Sequence, residues 1–162
     1  MESIEYVPDW VKRAIFYHIY PLGFLGAPKH NNANTNAINR LEEIRSYYTH
    51  FQNLGVNVIQ FGPLFESLSH GYNTVDYTRI DSRLGTNDLF KELVRELHSL
   101  NIRVIVDGVF NHVGRDFFSF KDIRQNREKS DYLNWHMINF RGNTPYNDGF
   151  DYQTWEGHYG LV

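Results

Sequence analysis

R-V-I-V-D-G-V-F-N-H, residues Arg103 to His112, changes character halfway along its length. Ile102 to Val106 is a β-branched apolar run that reads as a buried strand. Asp107 follows at once, and Asn111 and His112 close the stretch. A carboxylate, an amide and an imidazole at a strand end mark a site rather than a core, because burying a carboxylate without partners is costly.

The pattern before this stretch tells what kind of sheet the strand belongs to. Thr86 is placed to cap a helix whose apolar face is Leu89, Phe90, Leu93, Val94, Leu97 and Leu100. Asp88 lies in its first turn, where the helix dipole favours a negative charge. Asn101 is fitted to the left-handed exit from that helix. Further upstream, Val56 to Phe61 reads as a second strand, stopped by Gly62-Pro63. It follows a helix capped at Thr35 or Asn36, with Ile38, Leu41, Ile44, Tyr48, Phe51 and Leu54 on one face and Gly55 at its exit. Ala14 to Tyr20 reads as a first strand closed by Pro21, and Met1 to Lys12 as a lead-in without regular structure.

The order is therefore strand, helix, strand, helix, strand, which is α/β architecture with a parallel sheet. Strand-to-helix loops are long and helix-to-strand turns are one residue. That asymmetry is the pattern of a (β/α) barrel with its site at the strand carboxyl ends. An open dinucleotide-binding sheet fits less well, since P-L-G-F-L-G-A after the first strand is not the glycine-rich phosphate turn. Downstream of Val113 the periodicity is lost. Arg124 to Tyr132 reads as a short helix, and the remainder as an irregular excursion that reaches no fourth strand.

Composition narrows the partners. The 162 residues suit one domain, and 41% hydrophobic content is ordinary for a soluble one. A formal charge of −3 argues against nucleic acid. The absence of cysteine excludes thiolate catalysis and disulfides. The N-terminus has neither a basic nor an apolar signal region, so a cytoplasmic rather than secreted location is expected. No apolar run approaches membrane-spanning length, so no membrane partner is expected.

At D-G-V-F-N-H the chain resembles the α-amylase superfamily of glycoside hydrolases, whose first motif reads Asp-x-Val-x-Asn-His at the end of barrel strand three. Asp107, Val109, Asn111 and His112 match it in full. F-Y-H-I-Y-P (Phe16 to Pro21), H-G-Y-N-T-V-D-Y (His70 to Tyr77) and L-G-T-N-D-L-F-K-E-L-V (Leu84 to Val94) agree with further family segments in order and spacing. The final W-E-G-H-Y-G-L-V is similar to part of domain B, the insertion after strand three.

The resemblance implies that residues 1–112 form the first three βα units of a TIM (β/α)8 barrel and residues 113–162 the start of an irregular domain B insertion. It implies that His112 hydrogen-bonds the sugar at the cleavage subsite and that Tyr72 is the aromatic platform beneath it. Asp107 supports these groups by hydrogen bonding and is not the nucleophile. Asn111 offers its amide oxygen to a structural Ca²⁺, with Asp148 or Asp151 as further oxygen donors. Asp76 holds the Tyr72 loop, while His18 and His70 read as structural. The family's nucleophilic Asp, acid/base Glu and third Asp belong to later strands. The chain is accordingly expected to be the N-terminal part of a retaining enzyme acting on α-glucans by hydrolysis or transfer, inactive alone and needing the rest of the barrel as its partner. The alternative is a non-catalytic relative that kept the barrel and lost the acids. A complete binding module is the third reading, at odds with the open strand edges it would leave.

Overall fold

The computed structural model describes residues 7–32 and 36–162. Three strands form a parallel sheet: β1 (Phe16–Ile19), β2 (Val58–Phe61) and β5 (Arg103–Val106), in spatial order β1-β2-β5. The register pairs Phe16, Val58 and Arg103 in one row, and His18, Gln60 and Ile105 two residues further on. Between these rows lie Tyr17, Ile59 and Val104, then Ile19, Phe61 and Val106. Side chains alternate across a sheet, so the two sets of rows face opposite sides.

The helices cover one side. α4 (Asn87–Ser99) places Leu89, Leu93 and Leu97 against Ile59 and Phe61 in the main core. Thr86 Oγ1 accepts a hydrogen bond from the Leu89 amide at 3.1 Å, so the expected cap is in place. Asn101 at φ 59° and Gly55 at φ 71° take the left-handed exits. The turns into the strands are longer than one residue, spanning 54–57 before β2 and 100–102 before β5.

The first helical segment differs from its expectation. It starts at Arg40, runs as a 3-10 helix to Tyr47 and continues as α3 (Tyr48–Asn53). Thr35 lies outside the described residues, and Asn36 caps nothing. The late start has a local cause: the amides of Ile38 and Leu41 donate to Ser82 O and Leu84 O, at 3.0 and 2.9 Å, instead of entering a helix. Leu41, Ile44 and Phe51 reach the core, whereas Ile38 and Leu54 are exposed. Asp9–Lys12, expected to be irregular, is one helical turn, α1, and Pro21–Phe24 is another, α2. Proline at the first turn of a helix loses no hydrogen bond, so Pro21 both ends β1 and begins α2.

Two further corrections concern strands. The stretch before Asp107 is only partly buried: Ile102 lies in the core and Val104 packs on it, but β5 is an edge strand, Arg103 is exposed and Val106 is 40% exposed. The loop between β2 and α4 contains an antiparallel hairpin, β3 (Phe65–Ser67) with β4 (Thr74–Ile80), which alternation did not reveal. Its register shifts on both sides of Glu66, and an irregular pairing erases the period of two.

Residues 113–162 build a second, smaller core. α5 (Phe118–Asn126) begins six residues before the expected Arg124 start and buries Phe120 and Ile123 against Phe150 and Tyr152. β6 (Ile138–Asn139) pairs with β7 (Asp151–Tyr152), and Val113 and Val162 exchange backbone hydrogen bonds at 2.9 Å. The segment thus returns to the strand end it left. Among the described residues no helix is long and apolar enough to cross a membrane.

Arg45 joins the first helical segment to α4, pairing with Glu92 at 3.3 Å and with Glu96 at 2.7 Å. Arg45 donates to both oxygens of Glu96, and Tyr48 Oη donates to the same carboxylate at 2.7 Å. The Arg45 hydrogen bonds hold the Glu96 carboxyl below its ordinary value, with Tyr48 adding to the effect. A lowered folded value means that this stability is present above the ordinary carboxylate value of 4.5 and is lost as pH falls through the lowered one. Glu96→Gln is therefore expected to lower the urea midpoint at pH 7 and to lose less on acidification than the parent, compared by denaturation at pH 7 and pH ~3.

Candidate functional site

The carboxyl ends of β1, β2 and β5 open into long segments, and the side chains named from the sequence gather there. The loop Ser69–Asn73 is closed by Asn73, which accepts from the Ser69 amide at 3.1 Å and donates to Ser69 Oγ at 2.9 Å. Gly71 sits at φ 91°, and a Cβ on it would lie 2.8 Å from Pro63 Cβ. Glycine there is required twice over, by the backbone angle and by the approach to Pro63. Tyr72 follows and is 42% exposed.

The loop is fixed from below by a buried polar group that motif reading missed. Arg83 makes a two-point pair with Asp81, Nε to Oδ1 at 2.8 Å and Nη2 to Oδ2 at 2.7 Å. Its remaining donors reach Ser67 Oγ at 2.9 Å, Pro28 O at 2.9 Å and Ser69 O at 2.7 Å. Glu66 is buried beside it, accepting from Asn31 and from the amide and hydroxyl of Ser82. The signal lay in D-S-R, an acid and an arginine two residues apart next to an apolar strand end. Asp76 does not hold the Tyr72 loop: its Oδ1 accepts from the amide and hydroxyl of Thr78, at 2.8 and 2.6 Å.

The Asp107 turn approaches from β5. Gln60 Nε2 donates to Asp107 Oδ1 at 3.2 Å. Tyr77 Oη donates to Val109 O and lies 3.4 Å from His112 O, which fixes the turn between them. His112 Nε2 is 2.9 Å from Tyr72 O, so the turn and the platform loop are in direct contact. Its Nδ1 is 3.4 Å from the Asn111 amide nitrogen, and its ring stacks on Trp155 with centroids 5.7 Å apart. A groove of about 680 Å³ results, lined by His70, Tyr72, His112, Trp155 and His158. A second cavity of about 480 Å³ shares His112 and Trp155 as its wall.

His70, read from the sequence as structural, lines the groove and accepts the Tyr72 amide on Nδ1 at 3.2 Å. Its pKa is lowered by burial, then by His112, His158 and Arg83. Burial raises the Tyr20 phenol, and Tyr20 Oη donates to His70 O at 2.8 Å. His18 is exposed on the side of the sheet away from the helices.

The two acids read as further calcium donors already have partners within the protein. Asp148 accepts from Arg115 on both oxygens at 2.8 Å and pairs with Arg124 as well, so its carboxylate is neutralised within the protein. Asp151 Oδ1 accepts the Tyr152 amide at 2.9 Å. Both acids are thus engaged within the protein, whereas Ca²⁺ takes six to eight oxygens. Among the described residues no three His, Cys, Asp or Glu side chains cluster as metal ligands do.

An aromatic, imidazole-lined groove at the carboxyl ends of parallel strands has the chemistry for a polyhydroxylated ring. Residues 19–160 match the family described as alpha amylase, catalytic domain. The chain belongs to this α-amylase family. A cyclomaltodextrinase from a Bacillus species is 38% identical over 145 residues, covering 81% of this chain and 26% of its own. Neopullulanase 2 of Thermoactinomyces vulgaris is 36% identical over 81% of this chain and 25% of its own. The acarbose-soaked debranching enzyme of Nostoc punctiforme superposes with a TM-score of 0.78 at 36% identity, over 95% of this chain and 37% of that one. The cyclic α-maltosyl-(1→6)-maltose hydrolase of Arthrobacter globiformis, in complex with maltose, gives 0.78 at 30% identity, over 95% and 38%. The chain spans about a quarter of the length of the curated relatives it matches.

Arg83→Met leaves Asp81 buried without its counter-charge. The expected loss is about 3–5 kcal/mol, the usual cost of removing one partner of a buried pair, read as a drop in the urea midpoint. Asp81→Asn leaves the buried guanidinium without its counter-charge and is expected to cost about as much.

Proposed function

We propose that this chain is the first three βα units of a (β/α)8 α-glucan-active glycosidase, with residues 113–162 beginning the insertion after the third strand. The observation that carries the reading is the contact of His112 with Tyr72 in a groove at the sheet's carboxyl end. The uncovered side of the sheet supports it: Phe16 is 49% exposed there, and β1 and β5 each leave an edge unpaired among the described residues. A closed barrel of about 250 residues would cover both.

In this reading Tyr72 is the platform on which the apolar face of a glucose ring rests. His112 lies at the ring's edge. A sugar hydroxyl reaching it competes with Tyr72 O for the Nε2 proton, so binding and platform position are linked. Asp107, held by Gln60, braces the turn and takes no proton from the substrate. Bond cleavage by a retaining route needs two carboxylates about 5 Å apart. Those acids are expected on further strands, and residues 1–162 alone are expected to be inactive. Asn111 is assigned as one oxygen donor to a Ca²⁺ completed from elsewhere, and no step runs through the ion.

The test uses the complete gene product with maltooligosaccharides and cyclodextrins. Hydrolysis or transfer is expected, together with a roughly tenfold rise in KM for Tyr72→Ala, which is about 1.4 kcal/mol. A complete protein that binds glucans without turning them over would favour the non-catalytic relative. One that neither binds nor cleaves them would sink the reading.

A further inference from the structure

Two imidazoles grip one residue from its two backbone ends. Tyr72 O can only accept, so His112 Nε2 carries the proton between them. The Tyr72 amide can only donate, so His70 Nδ1 presents a lone pair. The neutral His70 ring therefore holds its proton on Nε2. We propose that His70 is a positioning residue for the sugar platform, its bare Nδ1 fixing the Tyr72 peptide and with it the angle of the Tyr72 ring in the groove. This rests on the reading of Tyr72 as that platform.

The surroundings leave His70 little freedom to do anything else. Its carbonyl is held by Tyr20 Oη at 2.8 Å, and Gly71 after it is pressed on Pro63. Arg83 holds Ser69 O before it at 2.7 Å. With the backbone fixed on both sides, the side chain folds back two residues, as Asx side chains do in turns. The His70 and Tyr72 rings lie 6.0 Å apart at 33°, so a turn of one ring is felt by the other. Among the described residues, no other hydrogen bond to the Tyr72 amide stands beside the His70 one.

The grip depends on protonation. A proton on Nδ1 would set two donors against each other and break the bond. The groups facing His70 are His112 and His158 across the groove, Arg83 beneath it and the phenols of Tyr20 and Tyr72, with Glu156 on the same groove wall. Burial, then His112, His158 and Arg83, lowers the pKa of His70. The neutral form is thus secured above the ordinary imidazole value of about 6.5, and the grip is lost as pH falls through the lowered value.

Three variants of the complete protein separate this role from simple packing. Asn carries Oδ1 at the same bond distance from Cβ as His Nδ1, accepts the Tyr72 amide and does not titrate. Gln moves its acceptor one methylene further. His70→Ala is expected to lower kcat/KM on maltooligosaccharides about tenfold, the effect of one well-placed hydrogen bond. His70→Asn should restore it to within about threefold and remove the part of the acid decline that belongs to His70, while His70→Gln should restore neither. Equal activity of the Ala and Asn variants at matched unfolding midpoints would overturn the proposal. A protein inactive on every glucan would count against the functional reading alone, because the grip is then read by nitrogen-15 NMR. The His70 ring should show the Nε2–H tautomer, and the Tyr72 amide proton should shift with the His70 titration. An Nδ1–H ring, or a Tyr72 amide indifferent to pH, would overturn the proposal whatever the activity.

Discussion

Arg83 and Asp81 are both buried, and the rest of the site hangs on their pair. A charge taken out of water is tolerated only when its partners return what the water gave. Here the guanidinium meets the carboxylate at two points and spends its other donors on the Ser67 hydroxyl and the carbonyls of Pro28 and Ser69. Those acceptors come from the segment after β1 and from the one after β2. Asp81 stands at the approach to α4. One ion pair thereby ties together the two connections that leave β1 and β2. Loops at the mouth of a sheet have few apolar contacts to order them, so a satisfied polar network takes that task.

The order transmitted from this pair reaches the groove in two steps. Ser69, held by Arg83, starts the loop that Asn73 closes and Gly71 seats on Pro63. Tyr72 then emerges at a fixed place, where His112 meets its carbonyl. Tyr77, at the far end of the same motif, holds the carbonyl of Val109 in the opposing turn. The H-G-Y-N-T-V-D-Y segment therefore positions both walls, one through its loop and one through the strand that follows it.

Much of this was legible in the sequence, for reasons that can be named. The order of strands and helices followed from apolar spacing, because α4 buries one face and the parallel strands are short runs rich in aromatic and β-branched residues. Tyr72 and His112 were found through motif residues, and the fold brings them together. Burial of β5 was misjudged because an apolar run reports what a strand prefers and not what lies beside it. The β3–β4 hairpin was missed because Glu66 and Asp76 interrupt its alternation, and Glu66 is buried by hydrogen bonds that no periodicity records. Arg83 was missed for a related reason: beyond Asp81 and Ser67 its acceptors are backbone carbonyls, which carry no residue identity to read.

The uncovered side of the sheet bears on what it is for. The row facing the helices is apolar throughout, with Ile59, Ile19 and Phe61 in the core. The opposite row runs through His18, Gln60 and Ile105, and alternation carries it on to Asp107, which Gln60 already holds. A face built to dock an apolar partner would not place an imidazole, an amide and a carboxylate in succession toward one end. A barrel interior does, since its packed middle gives way to polar side chains at the carboxyl ends of the strands. The polarity gradient along this face, from Val58 to Asp107, thus points the same way as the groove above it, and it does so without reference to any motif.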